Sequence, residues 1–225
     1  MIPLGKKQAA AAAVVSGLLY WVAFAGKVEA WPMSLLTFIC FVPLYIALQG
    51  QTPKRALWLG VLTGMTMNLA GFYWLVTMLR TFSGFPTALC LLFVVIICTY
   101  QGGRLGLMGW LHARAVSRGW PAAPVFAAAF AASEFVYPLL FPWYYATTVH
   151  KLPILTQTAE IAGPIFVGVI LIGVNLAIGE ALLAKIEKRV PDRRILIAGA
   201  GGLAFALVYG AVRIPMVDTR ALASE

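Results

Sequence analysis

Apolar runs of about 20 residues, the length a helix needs to cross the hydrocarbon core of a bilayer, recur seven times along this chain of 225 residues. They cover roughly residues 9–25, 31–48, 56–79, 85–103, 122–140, 161–184 and 195–212. Lipid offers no hydrogen-bond partner, so each run must satisfy its own backbone and is expected to be a helix. The sequence therefore predicts an all-α, polytopic membrane protein, a seven-transmembrane-helix bundle that forms a single domain over residues 1–225. The composition excludes a soluble domain: 11% of residues are charged, against about a quarter in ordinary soluble proteins.

The charges also orient the chain. A net charge of +9 invites a nucleic-acid reading, but the basic residues form no stripe and sit in the gaps between apolar runs, so no nucleic-acid partner is expected. With a cytoplasmic N-terminus, the cytoplasmic segments hold Lys6, Lys7, Lys54, Arg55, Arg104, Arg114, Arg118, Lys185, Lys188, Arg189, Arg193 and Arg194. The opposite side holds Lys27, Arg80, Lys151, Arg213 and Arg220, a bias of twelve to five that follows the positive-inside rule. Seven crossings then put the C-terminus on the outer side, which is the periplasmic side if the membrane is a bacterial inner membrane. Lys6, Lys7 and the small-residue pattern Ala23-Phe24-Ala25 also suit a cleavable signal segment, which would leave the rest of the topology unchanged.

Gly60 and Gly64 in the third run, and Gly102 and Gly106 near the end of the fourth, have the small-x-x-x-small spacing that lets helix backbones approach closely. Glycine is common in membrane helices in any case. Aromatic residues, among them Tyr20, Trp21, Trp31, Phe72, Tyr73 and Trp74, cluster where belt anchors belong. Cys40, Cys90 and Cys98 all lie in apolar runs without metal-ligand spacing and read as small hydrophobes. His150 stands alone, so no metal is expected.

The segment 141–160 is apolar and aromatic but too broken to cross, because Pro142 and Pro153 interrupt any helix. It is suited to lie in the interface or to turn back into it, against lipid tails, the bundle or an attached domain. Glu134 lies about 14 residues into the fifth run, roughly 20 Å along a helix. An ionised acid there must be paired or wetted. Two roles stay open for it: a polar contact to a lipid head group or substrate, or a hydrogen bond that locks helix packing. No G-x-S-x-G, H-E-x-x-H or phosphate-binding glycine loop occurs, and no cysteine lies outside the apolar runs to act as a nucleophile.

Several short motifs, in order along the chain, give a family resemblance. They are Trp31-Pro32, Pro43, Gly71-Phe72-Tyr73-Trp74, Thr81-Phe82-Ser83-Gly84-Phe85-Pro86, Glu134 followed by Phe141-Pro142-Trp143, then Gln157, Gly163 and Asn175. Together they resemble the membrane domain of apolipoprotein N-acyltransferases. The family usually has an arginine soon after the acid, whereas residues 134–138 hold none. The resemblance implies a bacterial inner-membrane platform for phospholipid-dependent N-acylation of a lipoprotein's N-terminal cysteine. Its partners would be a membrane phospholipid as acyl donor and a diacylated lipoprotein, with no cofactor. It points to Glu134, Phe141, Pro142, Trp143 and Trp74 as lipid or substrate contacts. The family's catalytic Glu, Lys and Cys lie in a nitrilase-like domain after the seventh span. Residues 1–225 contain no such domain and are expected to be inactive by themselves, as a fragment, a truncated product or one subunit that works with a separate nitrilase-like catalytic subunit. The alternative is a non-enzymatic lipid-binding or scaffold protein derived from that platform.

Overall fold

The computed structural model describes residues 4–24 and 31–222, with the backbone alone at 31–32 and 218–222. Among these residues every regular element is a helix, and there is no strand. In order the chain forms α1 (Lys6–Phe24), a 3₁₀ helix (Trp31–Phe38), α2 (Val42–Leu48), α3 (Pro53–Gly71), α4 (Trp74–Ser83), α5 (Thr87–Val116) and α6 (Ala122–Val136). A second 3₁₀ helix (Tyr145–Val149), α7 (Pro153–Thr156), α8 (Ala159–Ile186) and α9 (Arg193–Leu222) complete it.

Among the described residues four helices, α1, α5, α8 and α9, are long and apolar enough to cross a membrane, and α3 with α4 makes a fifth if the bent pair counts as one span. The all-helical expectation thus holds among the described residues, whereas the described helices give four spans, or five with the bent pair, in place of the seven expected. The second run, 31–48, is a 3₁₀ helix followed by a short α-helix, with Pro43 in the first turn of α2, where its missing N–H is harmless. The third run bends by 64° at residues 72–73. Gly84 at φ +67° ends α4 in the left-handed conformation, which glycine adopts without steric penalty. The fifth run ends as a helix at Val136, so Glu134 occupies the last turn of α6. The sixth is interrupted at Ala162 and Gly163, the latter at φ +75°, just before Pro164. The fourth, by contrast, continues 13 residues past its expected end at Gly103, as far as Val116.

The tightest packing lies between α3 and α5. A Cβ added at Gly60 would fall on the carbonyl of Leu105, and one at Gly64 or Gly102 would strike the facing backbone. Gly109 lies against Ala56 in the same way, so the helices run antiparallel with their backbones in contact. Replacing Gly64 by valine is expected to lower the unfolding free energy by about 2 kcal/mol or more, read from a denaturant titration in micelles. An unchanged midpoint would show that the seam tolerates a side chain.

The same contacts fix which ends lie together. Gln51 Nε2 donates to the Leu4 carbonyl, Tyr45 packs on Gly179, and its ring meets His112. The start of α1, the start of α3 and the ends of α5 and α8 therefore share one end of the bundle, with Lys6, Lys7, Lys54, Arg55, Arg114 and Lys185. The turn from α8 to α9 is closed there by Glu180, which accepts from both terminal nitrogens of Arg189 and from the Asp192 N–H. Glu180 and Glu187 together hold the Arg189 guanidinium above the ordinary arginine range. At the far end Arg213 of α9 pairs with Glu160 of α8.

Candidate functional site

The break in the second run leaves backbone polar groups inside the bundle, and side chains from distant elements satisfy them. Asn175 of α8 acts as a surrogate peptide: its Oδ1 accepts from the Phe41 N–H at 2.8 Å, and its Nδ2 donates to the Thr37 carbonyl at 2.8 Å. The Tyr145 hydroxyl also donates to Thr37 O, and Ser16 Oγ to Cys40 O. The rings of Tyr20, Phe41, Phe130 and Tyr145 surround this point in edge-on and tilted contacts. Non-helical backbone at membrane depth is tolerated only when protein satisfies it in this way.

Tyr145 opens the short 3₁₀ helix at the heart of the proline-broken segment. That helix inserts into the bundle: Tyr145, Ala146, Thr148 and Val149 are all buried. Of the partners the sequence left open for this segment, it is the bundle that covers these residues.

Glu134 connects the inserted helix to α5. Its Oε1 accepts from Arg104 Nη1 at 2.9 Å and from the Tyr145 N–H at 2.8 Å. Arg104 Nη2 reaches the Tyr20 hydroxyl at 3.3 Å. Both side chains of the ion pair are at most 5% exposed. Glu134 Oε2 is buried near Gly168 with no hydrogen-bond partner among the described residues. The partner arginine thus comes from 30 positions earlier in the chain and not from just after the acid. Arg104 in turn is corrected from a cytoplasmic loop residue to a buried residue within α5. Because α5 runs on to Val116, position 104 falls inside the helix.

Two more side chains of α5 hold the stretch between α6 and Tyr145. Gln101 donates to the Phe141 carbonyl at 3.2 Å and accepts from the Leu140 N–H at 2.7 Å. Tyr100 donates to the Pro138 carbonyl at 2.6 Å, while Tyr137 donates to the carbonyl of Tyr100 at 2.7 Å. Gly103 leaves the room that the Tyr137 ring fills. The sequence Tyr100-Gln101-Gly102-Gly103-Arg104 is therefore a clamp, with Gly102 seating α3 and the others fixing residues 137–145. Its only signal in the sequence was a cluster of polar and small residues at the end of an apolar run.

What the clamp fixes is an aromatic cluster. Trp143 stacks on Phe72, with centroids 4.8 Å apart and planes 16° from parallel. It also meets Phe24 at 4.6 Å. Phe141 and Trp74 contact the same Phe72 ring at 5.3 and 6.2 Å. Phe72 lies at the bend between α3 and α4, so the Gly71–Trp74 motif and the Phe141–Trp143 motif, about 70 residues apart, meet at one place. Phe141 and Pro142 are exposed, Trp74 is 44% exposed, Trp143 is half-buried and Phe72 is buried. Beneath Trp143 a cavity of about one water's size touches Asn68, Gln101 and Arg104. The sequence named Glu134, Phe141, Pro142, Trp143 and Trp74. The structure groups Trp74, Phe141 and Trp143 around Phe72, and it places Glu134 on the support behind them. Phe72, Gln101 and Arg104 were missing from that set.

The family described as the apolipoprotein N-acyltransferase N-terminal domain matches residues 16–177. The chain belongs to this family. A Pseudomonas putida apolipoprotein N-acyltransferase is 27% identical over 209 residues, 84% of this chain and 38% of that protein. One from Vibrio parahaemolyticus is 32% identical over 84 residues, 37% of this chain and 16% of the relative. An apolipoprotein N-acyltransferase 2 of Leptospira interrogans is 28% identical over 155 residues, 66% of this chain and 25% of its own length. The chain thus spans less than two-fifths of the curated relatives it matches. The matched region contains Arg104, Glu134, the clamp and both aromatic motifs, so the whole site lies within the family's N-terminal domain.

Proposed function

We propose that residues 1–225 form the lipid-accessible platform for phospholipid-dependent N-acylation of a lipoprotein's N-terminal cysteine. The observation that carries this reading is the meeting of Trp74, Phe141 and Trp143 on Phe72, an aromatic ledge braced from behind by Arg104 and Glu134. Trp74, Phe141 and Pro142 would offer the exposed rim to acyl chains of the phospholipid donor and the diacylated lipoprotein. Glu134, only 8% exposed, would act as a positioning residue, through the Tyr145 N–H it holds. The basic ends of α1, α3, α5 and α8 would face the cytoplasm, and the end of α9 would then lie on the periplasmic side of a multi-pass inner-membrane protein.

Platform and chemistry are separable in this reading. All three cysteines are buried, so residues 1–225 would offer no accessible thiol to carry an acyl thioester. That step would need the nitrilase-like part, in the same protein or as a separate subunit. Orientation of bound reactants contributes several kcal/mol to such reactions, but it does not replace a nucleophile.

The test uses the 225-residue chain in vesicles with phospholipid and a diacylated lipopeptide, with and without the nitrilase-like half of a relative. No N-acylated peptide is expected in the mass spectrum from the chain by itself, and its appearance there would refute the division of labour. With the added half, product is expected, and Trp143→Ala should lower its rate about tenfold or more through misplacement of the acyl chain. Unchanged turnover in that variant would remove the ledge from the reaction.

A further inference from the structure

The α3–α5 seam carries a second feature at its basic end, remote from the aromatic ledge. Lys54 and Trp58 stand one turn apart on α3, and Trp110 and Arg114 one turn apart on α5. The helices are antiparallel there, with Gly109 against Ala56. Each basic residue therefore lies toward the end of the bundle, and each tryptophan one turn deeper. Ala56 and Gly60 face Gly109 and Gly106 across the seam. A rotation of about 100° per residue then sets all four side chains on the same side of the plane through the two axes.

None of the four is covered. Lys54 and Arg114 are exposed, Trp58 is 59% exposed and Trp110 36%. The Arg114 guanidinium stands 6.0 Å from the centroid of the Trp110 ring. Among the described residues Lys54, Arg55 and Arg114 enter no ion pair, whereas Arg104, Arg189 and Arg213 are all committed to carboxylates. One guanidinium nitrogen of Arg55 is buried without a partner. The N-terminus of α3 adds partial positive charge at the same place. The patch is therefore an uncompensated cationic pair one turn from two exposed indole side chains, with the Arg114 guanidinium over the Trp110 ring, on a helix pair whose outer surface is apolar.

A ligand that satisfies it must be anionic at one end and apolar at the other. We propose that this patch binds an anionic phospholipid of the surrounding leaflet, with its phosphodiester between Lys54 and Arg114 and its glycerol and upper acyl chains against Trp58 and Trp110. The site belongs to the fold and does not depend on the acyl-transfer reading. Its interaction surface is two neighbouring helices, whose spacing the glycine seam holds fixed.

The test measures phosphatidylglycerol binding to the 225-residue chain by native mass spectrometry from micelles, with phosphatidylcholine of the same chains as the reference. Phosphatidylglycerol is expected to bind more tightly than phosphatidylcholine. The double variant Lys54→Gln with Arg114→Gln should weaken phosphatidylglycerol about tenfold or more, since each basic residue contributes about fivefold at such a surface. A comparison variant, Lys185→Gln with Arg193→Gln, removes two charges from the same end of the bundle but away from the seam, and should change it less than about twofold. Equal losses in the two variants, or equal affinity for the two lipids, would overturn the proposal in favour of a diffuse surface charge. If the lipid-free unfolding midpoint of the first variant falls, Lys54→Arg with Arg114→Lys decides. That pair keeps both charges and must retain the preference, and its loss would likewise overturn the site.

Discussion

Arg104→Met is expected to destabilise the bundle by about 3–5 kcal/mol, because it leaves the Glu134 carboxylate buried without its counter-charge. Glu134→Leu should cost a similar amount for the mirrored reason, and it also strands the Tyr145 N–H. The double variant, Arg104→Met with Glu134→Leu, is expected to be more stable than either single one. Removing both charges together removes the desolvation penalty as well, and about 1–3 kcal/mol remains for the orphaned Tyr145 amide. Denaturant unfolding in micelles, arranged as a double-mutant cycle, gives the coupling directly. If the two losses simply add, the ion pair contributes nothing as a pair, and Glu134 must be held by Tyr145 alone. The variants also separate support from chemistry. A positioning residue should alter the fluorescence of Trp143 along with stability, since the Phe141–Trp143 stretch hangs between Gln101 and the Glu134-bound Tyr145 amide.

The second large effect is expected at Asn175. Asn175→Leu nearly conserves volume, yet it removes the side chain that accepts from the Phe41 N–H and one of the three side-chain donors to Thr37 O among the described residues. A stranded buried backbone group costs about 1–3 kcal/mol, so a loss of about 3 kcal/mol is expected. Hydrogen exchange localises it: the Phe41 amide should lose protection well before amides in the middle of α5. Retained protection at Phe41 would mean that the break between the 3₁₀ helix and α2 finds another partner, and that Asn175 is not its keystone.

Both effects fall on residues whose type was visible in the sequence but whose partners were not. Glu134 stood out because an acid in an apolar run needs a companion. Arg104 was read as lying outside the membrane, because the apolar run fades at Gly102 and Gly103 and hydropathy alone treats a paired arginine as an unpaired one. The glycine spacings were legible and the structure uses them, since small-x-x-x-small reports a backbone approach within a few turns of one helix. The Phe141–Trp143 motif was legible as a non-crossing segment, because proline acts locally. That it lands on Phe72, at a bend about 70 residues earlier, was not.

The amino-acid order by itself determined an all-helical, membrane-suited chain, its proline and glycine breaks, its close-packed glycine seam and its family. These depend on hydropathy, backbone sterics and short motifs, all of which act over a few turns of chain. Only the tertiary structure decided which apolar runs become unbroken helices, which cation neutralises Glu134, and where the aromatic motifs meet. Inside a bilayer each freed peptide group and each buried charge must find a partner within the protein, and here those partners come from elements far apart in the chain.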